Sequence, residues 1–365
     1  MKKAILLGAL IFAMGGMTMY ANVKTNSNIK GVKNAVKENQ NYEMGWDKIF
    51  PKSDKVNHQK VTFKNRYGIT LVGDLYVPKN IGNKKLSAIA VSGPFGAVKE
   101  QSSGLYAQTM AERGFVTIAF DGSYTGESSG TPRNVPSPEI NTEDFSAAVD
   151  YLGSLDFVDR EKIGILGICG WGGFALNAAI SDTRIKAVAT STMYDMTRVA
   201  AKGYNDATDA NARYEMKKQM NEARWEVSKN DYATLLPANN LRGAQITAET
   251  PQFIKEYSDF YTTERGFHKR AVNSNPDGSW TVTGMLPLIN MPILQYASEM
   301  RTPALIVHGE NAHSRYFSED AYKSLGTSNK ELYIVKGATH VDLYDNQAGK
   351  IPYDKFESFF KANLK

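Results

Sequence analysis

From residue 87 to residue 335 the chain repeats one pattern, a run of five or six mostly apolar residues followed by a segment of helical character. The runs fall at 87–92, 115–120, 163–167, 185–190, 302–307 and 331–335. Continuously apolar runs this short read as strands buried on both faces rather than strands with one wet side. Helical patterns at 105–113, 141–155, 172–180 and 318–325 lie between them. Such alternation predicts an α/β fold with a doubly wound, mostly parallel sheet and right-handed crossovers. Ahead of it, 61–66 and 70–77 alternate apolar and polar residues around Tyr67 and Gly68, the signature of an N-terminal β-hairpin stopped by Pro78. A last helix over 351–362 carries Pro352 near its first turn and Phe356, Phe359 and Phe360 on one stripe, which predicts docking on the sheet.

One interval breaks the rhythm. Residues 191–301 hold weak strand signals but amphipathic helical stretches at 211–228 and 250–261, and a turn at Asp277 and Gly278. A structureless loop of that length does not suit a compact domain, so the interval predicts a helical cap or lid inserted between core segments 46–190 and 302–365. At the N-terminus Lys2 and Lys3 precede an apolar stretch at 4–14 and a small residue, Ala21, which reads as a secretory signal over 1–21 followed by a linker over 22–45. That stretch is shorter than the ~20 residues a membrane span needs, so an exported protein with no stable membrane span after processing is expected. A count of 43 basic against 38 acidic residues leaves only +5, which implies no nucleic-acid partner.

The chain contains one cysteine. A disulfide within the chain and a multi-cysteine metal site are therefore excluded. Cys169 lies two residues past the apolar run 163–167, with Gly167 and Gly170 beside it and Gly172 and Gly173 opening a helix. Strand, nucleophile and glycine-rich helix start together describe a sharp elbow that lifts a reactive side chain to the top of a sheet. A helix N-terminus behind the sulfur is expected to pull the thiol below its usual ~8.5 and favour the thiolate. The spacing departs from Gly-x-Ser-x-Gly, because Trp171 stands where the second glycine belongs, and an apex at Trp171 would leave the site dead.

A cysteine nucleophile needs a base. Among five histidines, His340 follows the last predicted strand at the C-terminal edge of the sheet, where open α/β folds bind ligands. His308 ends a buried run and reads as a satisfied core residue. The orienting acid is expected at Glu310, after the run 302–307, with Asp195 as the alternative; Asp195 reads equally well as a helix cap. Oxyanion donors are expected at the backbone N–H groups of Gly170 and Phe95, since Pro94 has none. The loop 121–128 reads as a polar rim within reach of substrate. No HExxH, phosphate-loop or calcium-loop motif occurs, so no metal or other cofactor is expected.

Taken together, the segments 46–53, 65–71, 167–173, 191–196, 308–311 and 340–344 resemble bacterial α/β-hydrolases of the dienelactone-hydrolase-like and YcjY-like group. The resemblance implies the α/β-hydrolase fold and an esterase-type enzyme acting on esters, thioesters or lactones. The expected function is cleavage or transfer of an acyl group from a small-molecule substrate by a triad of Cys169, His340 and an acid. A peptidase, or a binding protein on the same fold without chemistry, is the alternative.

Overall fold

The structure is a computed structural model that describes residues 45–365 apart from Asn80 and Asn83. The expected signal, and the linker up to residue 44, lie outside the described residues.

The described strands form one sheet in the order β1-β2-β4-β3-β5-β6-β7-β8. They are β1 Val56–Lys64, β2 Thr70–Pro78, β3 Leu86–Ser92, β4 Val116–Phe120, β5 Val158–Ile168, β6 Ala187–Ser191, β7 Ala304–Gly309 and β8 Lys330–Val335. β2 runs antiparallel to β1 and β4, and every other pairing is parallel. The hairpin turns where expected: Asn65 Oδ1 accepts the N–H groups of Tyr67 and Ile69 at 3.0 and 3.1 Å, and Gly68 takes the left-handed conformation.

β4, β6 and β7 are buried along their whole length, as their apolar runs require. β1 starts at Val56, five residues before the expected 61, and two further strands depart from the expectation. β5 starts at Val158, five residues before the apolar run, because its first part pairs with Leu86 across a bulge while Arg160 and Glu161 stay in solvent. β8 is the edge strand and is only half-buried, with Glu331 and Tyr333 exposed.

Among the described residues three helices precede β6: α1 Ser102–Glu112, α2 Pro138–Ser154 and α3 Gly170–Ser181. α2 begins three residues earlier than its hydrophobic period suggests, since Ser137 Oγ accepts the Ile140 N–H and Pro138 is preorganised for the first turn. Between β6 and β7 the chain leaves the sheet and forms α4 Met196–Lys202, α5 Ala210–Val227, α6 Gln252–Thr262 and α7 Met285–Asn290 among irregular segments. It then returns for α8 Arg315–Ser324 and α9 Tyr353–Asn363. No described helix is long and apolar enough to cross a membrane.

α9 docks through Phe356 and Phe360, both fully buried. The Phe360 ring lies over Gly164 of β5, where an added Cβ would come 2.7 Å from Cε1. Gly164→Ala is therefore expected to lower stability by about 1–3 kcal/mol through overpacking, read from urea denaturation. A loss under about 0.5 kcal/mol, ordinary for a surface change, would mean that the ring is not seated there.

Candidate active site

The loops leaving the C-terminal ends of β3, β5, β6, β7 and β8 converge at one edge of the sheet and bring Phe95, Cys169, Thr192, Ser314 and His340 together. Cys169 caps α3 at φ 53°, a left-handed conformation that a side chain adopts only when its surroundings enforce it. Its N–H donates to Ser191 O at 3.0 Å, and its carbonyl accepts from Gly172 N at 2.9 Å and Tyr194 N at 2.8 Å. The small neighbours are steric necessities. A Cβ at Gly167 would meet Trp171 O at 2.2 Å, and one at Gly172 would meet Met193 Cβ at 2.4 Å.

Trp171 is not the apex. Its indole points down among Phe120, Phe145 and Phe174 at ring distances of 5.5 to 5.6 Å. Gly122 makes room for it, since a Cβ there would lie 2.2 Å from Trp171 Cζ2. The elbow at Cys169 thus accommodates a tryptophan two residues on because the loop after β4 supplies a glycine.

Around the Cys169 sulfur stand the Tyr344 hydroxyl and the backbone N–H groups of Gly170 and Phe95. Burial pushes the thiol up to about 11, and these three hydrogen bonds offset that only in part. The sequence expectation of a lowered thiol is corrected here, because desolvation outweighs the helix N-terminus. Alkylation of the resting protein by iodoacetamide should accordingly accelerate close to tenfold per pH unit from neutrality to about pH 10, followed by intact mass. A plateau reached near pH 7 would mean that the thiolate is already formed there.

His340 is fully buried. Its Nε2 lies 3.0 Å from the Tyr344 hydroxyl, so Tyr344 stands between the imidazole and the sulfur. Its Nδ1 lies 2.8 Å from Thr192 Oγ1 and 2.6 Å from Ser314 Oγ. Ser314 Oγ continues to His308 Nε2 at 2.9 Å, and His308 Nδ1 to Ser318 Oγ at 2.6 Å. Burial, with His313 and His308 nearby, holds His340 well below the usual imidazole range, and burial lowers His308 to about 3. A continuous chain of neutral groups therefore runs from the sulfur into the interior.

The expected acid is placed elsewhere. Glu310 is exposed, and its Oε2 accepts the Gly337 N–H at 2.8 Å, away from the imidazole. After β7 the backbone turns tightly, Ala312 N donating to Gly309 O, and Ser314 fills the place beside Nδ1. Asp195 serves as the N-cap of α4, accepting from Thr197 N at 3.0 Å and Arg198 N at 2.9 Å. Neither carboxylate is hydrogen-bonded to His340.

The Phe95 loop is held from two sides. On one side, buried Lys99 sits among Glu100, Asp121 and Glu127, and its N–H donates to Asp121 Oδ1 at 2.8 Å. The loop 121–128, expected as a substrate rim, instead turns its polar groups inward: Asp121 and Glu127 pair with Lys99, Ser123 bonds Asp144, Ser128 bonds Asp121 O, and none of the four lines the cavity beside Cys169. On the other side, Asn273 from the segment between α6 and α7 donates Nδ2 to Phe95 O at 2.8 Å and its backbone N–H to Gly96 O at 3.2 Å. Trp280 stacks on the Phe95 ring at 4.1 Å.

Beside the sulfur opens a cavity of about 140 Å³ that reaches between the sheet edge and α6. Among the described residues, no cluster of histidine, cysteine and acids that could hold a metal ion occurs.

Sequence reasoning missed Tyr344, Thr192, Ser314 and Asn273. Tyr344 had a local signal, since it stands four residues after His340 around the helical turn Val341–Leu343, the spacing that aligns side chains on one face. The other three come from separate loops and carry no such signal.

Comparison with known proteins fixes the family. Residues 67–342 match the family described as X-Pro dipeptidyl-peptidase (S15 family). The chain belongs to the S15 family. This S15 chain is 54% identical to PA2218 of Pseudomonas aeruginosa over 366 residues, covering all of this chain and 95% of that one. The crystal structure of PA2218 superposes with a TM-score of 0.85 at 56% identity, covering 90% of this chain and 100% of that one. YcjY of Escherichia coli is 35% identical over 80% of this chain and 94% of its own length. The α/β hydrolase GrgF of Penicillium sp. sh18 shares the fold, with a TM-score of 0.65 at 20% identity over 84% of this chain and 99% of that one. The S15 chain is thus of hydrolase type on an α/β-hydrolase fold, and the likeness to YcjY agrees with the resemblance seen in the sequence.

Proposed function

We propose that this protein cleaves or transfers the acyl group of esters, thioesters or lactones through Cys169, in the manner of a dienelactone-hydrolase-like esterase. The observation that carries the reading is the convergence of two backbone N–H groups and one relay hydroxyl on a single sulfur at the mouth of a cavity. In the proposed sequence the sulfur adds to the carbonyl carbon while its proton passes to the Tyr344 oxygen, whose own proton moves to His340 Nε2. The N–H groups of Gly170 and Phe95 then face the new oxyanion, where such donors act in a dry site with no reorganisation. Collapse expels the alcohol or thiol, which takes a proton back along the same path, and leaves a thioester on Cys169. Water, or another acceptor, attacks that thioester with His340 again receiving the proton through Tyr344. The free acid leaves, and the thiol is restored.

Burial keeps the His340 imidazole neutral, the form in which a base can accept a proton. Thr192 and Ser314 take over the orienting task that Glu310 or Asp195 was expected to perform. The basic n-region and apolar stretch of residues 1–21 support export as part of the proposal, checked by N-terminal sequencing of protein recovered outside the cytoplasm.

With p-nitrophenyl butyrate, Cys169→Ala should remove turnover and the acyl adduct seen by intact mass. Tyr344→Phe should lower kcat/KM by about 10²- to 10⁴-fold, the range for a positioned proton-transfer group. Full activity in Cys169→Ala would end the assignment. Asn273→Ala, which frees the Phe95 carbonyl, should lower kcat by up to about 10²-fold with little change in KM, because an oxyanion donor works in the transition state. A rise in KM alone would place Asn273 in substrate binding instead.

Membership in the S15 family supports a second reading, cleavage of X-Pro dipeptides from a peptide N-terminus. Gly-Pro-p-nitroanilide tests it directly.

A further inference from the structure

The cavity beside Cys169 has a composition that neither reading above explains. Its walls are built largely from the rings of Phe95, Tyr194, Phe253, Tyr257, Tyr261 and Tyr344. The remaining lining is aliphatic side chains and neutral amides and hydroxyls; no carboxylate, ammonium or guanidinium lines it among the described residues. Much of the polar capacity is already committed to the protein. Asn240 Nδ2 lies within hydrogen-bond distance of the carbonyls of Val272, Asn275 and Gly278, Asn273 Nδ2 binds Phe95 O, and the Tyr204 hydroxyl donates to His313 O. Burial raises the hydroxyls of Tyr194, Tyr257 and Tyr344 well above the usual phenol range, so these rings stay uncharged at neutral pH.

We propose that this cavity is an acyl-binding site for uncharged groups of about six to eight non-hydrogen atoms, planar or aryl groups foremost, and that it rejects acyl groups bearing a charge. The size follows from the volume: about 140 Å³ is close to that of an apolar protein cavity known to enclose benzene. The preference for flat groups follows from the ring-built walls, which offer faces and edges to an aromatic guest. Rejection of charge follows because an ion entering here leaves water and meets no counter-ion. An X-Pro dipeptide carries a free ammonium, which needs an acidic partner at its binding site. None lines this cavity among the described residues, so the acyl reading is favoured over the peptidase reading.

The inference rests on Cys169 as the acyl acceptor only for its catalytic consequence, and its test has a binding arm independent of turnover. Benzamide, benzamidinium and benzoate have one shape and three charges. Calorimetry should show the wild-type protein binding benzamide at least about tenfold more tightly than either ion. Ile254→Trp, which fills the cavity from α6, should abolish that binding while far-ultraviolet circular dichroism stays unchanged. Equal binding of the three compounds, no binding of benzamide, or binding that survives Ile254→Trp would overturn the proposal.

In the catalytic arm, p-nitrophenyl benzoate and hexanoate should exceed the succinyl half-ester in kcat/KM by about a hundredfold and acetate by a similar factor. Gly-Pro-p-nitroanilide should leave no adduct on Cys169. Succinyl turnover matching hexanoyl, or an adduct from the dipeptide, would overturn the cavity assignment and leave the nucleophile standing. Benzamide selectivity without an adduct from any donor would do the reverse.

Discussion

The left-handed corner at Cys169 is the constraint from which the rest of the site follows. A non-glycine residue held there costs about 1–3 kcal/mol, which the surroundings must supply. Here the compensation is visible as three backbone hydrogen bonds that tie the corner to Ser191, Gly172 and Tyr194. The same bonds fix the exit of β6 against the end of β5. Thr192, which braces His340, and Tyr194, which walls the cavity, inherit their positions from that junction. Remove the corner, and Cys169, the brace on His340 and one side of the pocket shift together.

The second organising feature is the absence of a resting charge along the hydrogen-bonded chain that runs inward from the sulfur. Cys169, Tyr344, His340, Ser314 and His308 are all buried or nearly so, and their shifts favour the neutral form wherever one is resolved. An ionised thiolate and imidazolium would have to be desolvated permanently, at a cost of several kcal/mol per ion even after relaxation. In the proposed mechanism a chain of hydroxyls and neutral rings defers that cost to the moment of reaction, with two backbone N–H groups beside the sulfur to face the oxyanion. It also explains why hydroxyl groups can occupy the position of an acid: they orient the imidazole without adding a buried charge.

What the sequence disclosed divides along physical lines. Strands buried on both faces advertise themselves as apolar runs, so β3, β4, β6 and β7 were legible to within two residues at each end. The first part of β5 was not, because its pairing partner lies across a bulge and its side chains remain wet. The structure brings Cys169, Gly170 and Phe95 together, a proximity legible in the sequence because an elbow and the loop after β3 are local backbone devices. His340 was found from its place at the sheet edge, but its company was not. Glu310 was chosen by distance along the chain, and a tight turn at Ala312 carries Ser314 into that space instead. The raised thiol was missed because burial is a property of the assembled cavity, which no window of neighbouring residues reports.

The grip of Asn273 and Trp280 on the Phe95 loop has a consequence for the proposed mechanism. Two of the contacts that hold this loop belong to the segment between α6 and α7, and Asn273 also lines the pocket. Displacing that segment would release the Phe95 carbonyl and uncover its ring in one movement. Pocket wall and proposed donor are thus fastened to each other, so neither can be retuned by substitution while the other stays as it was.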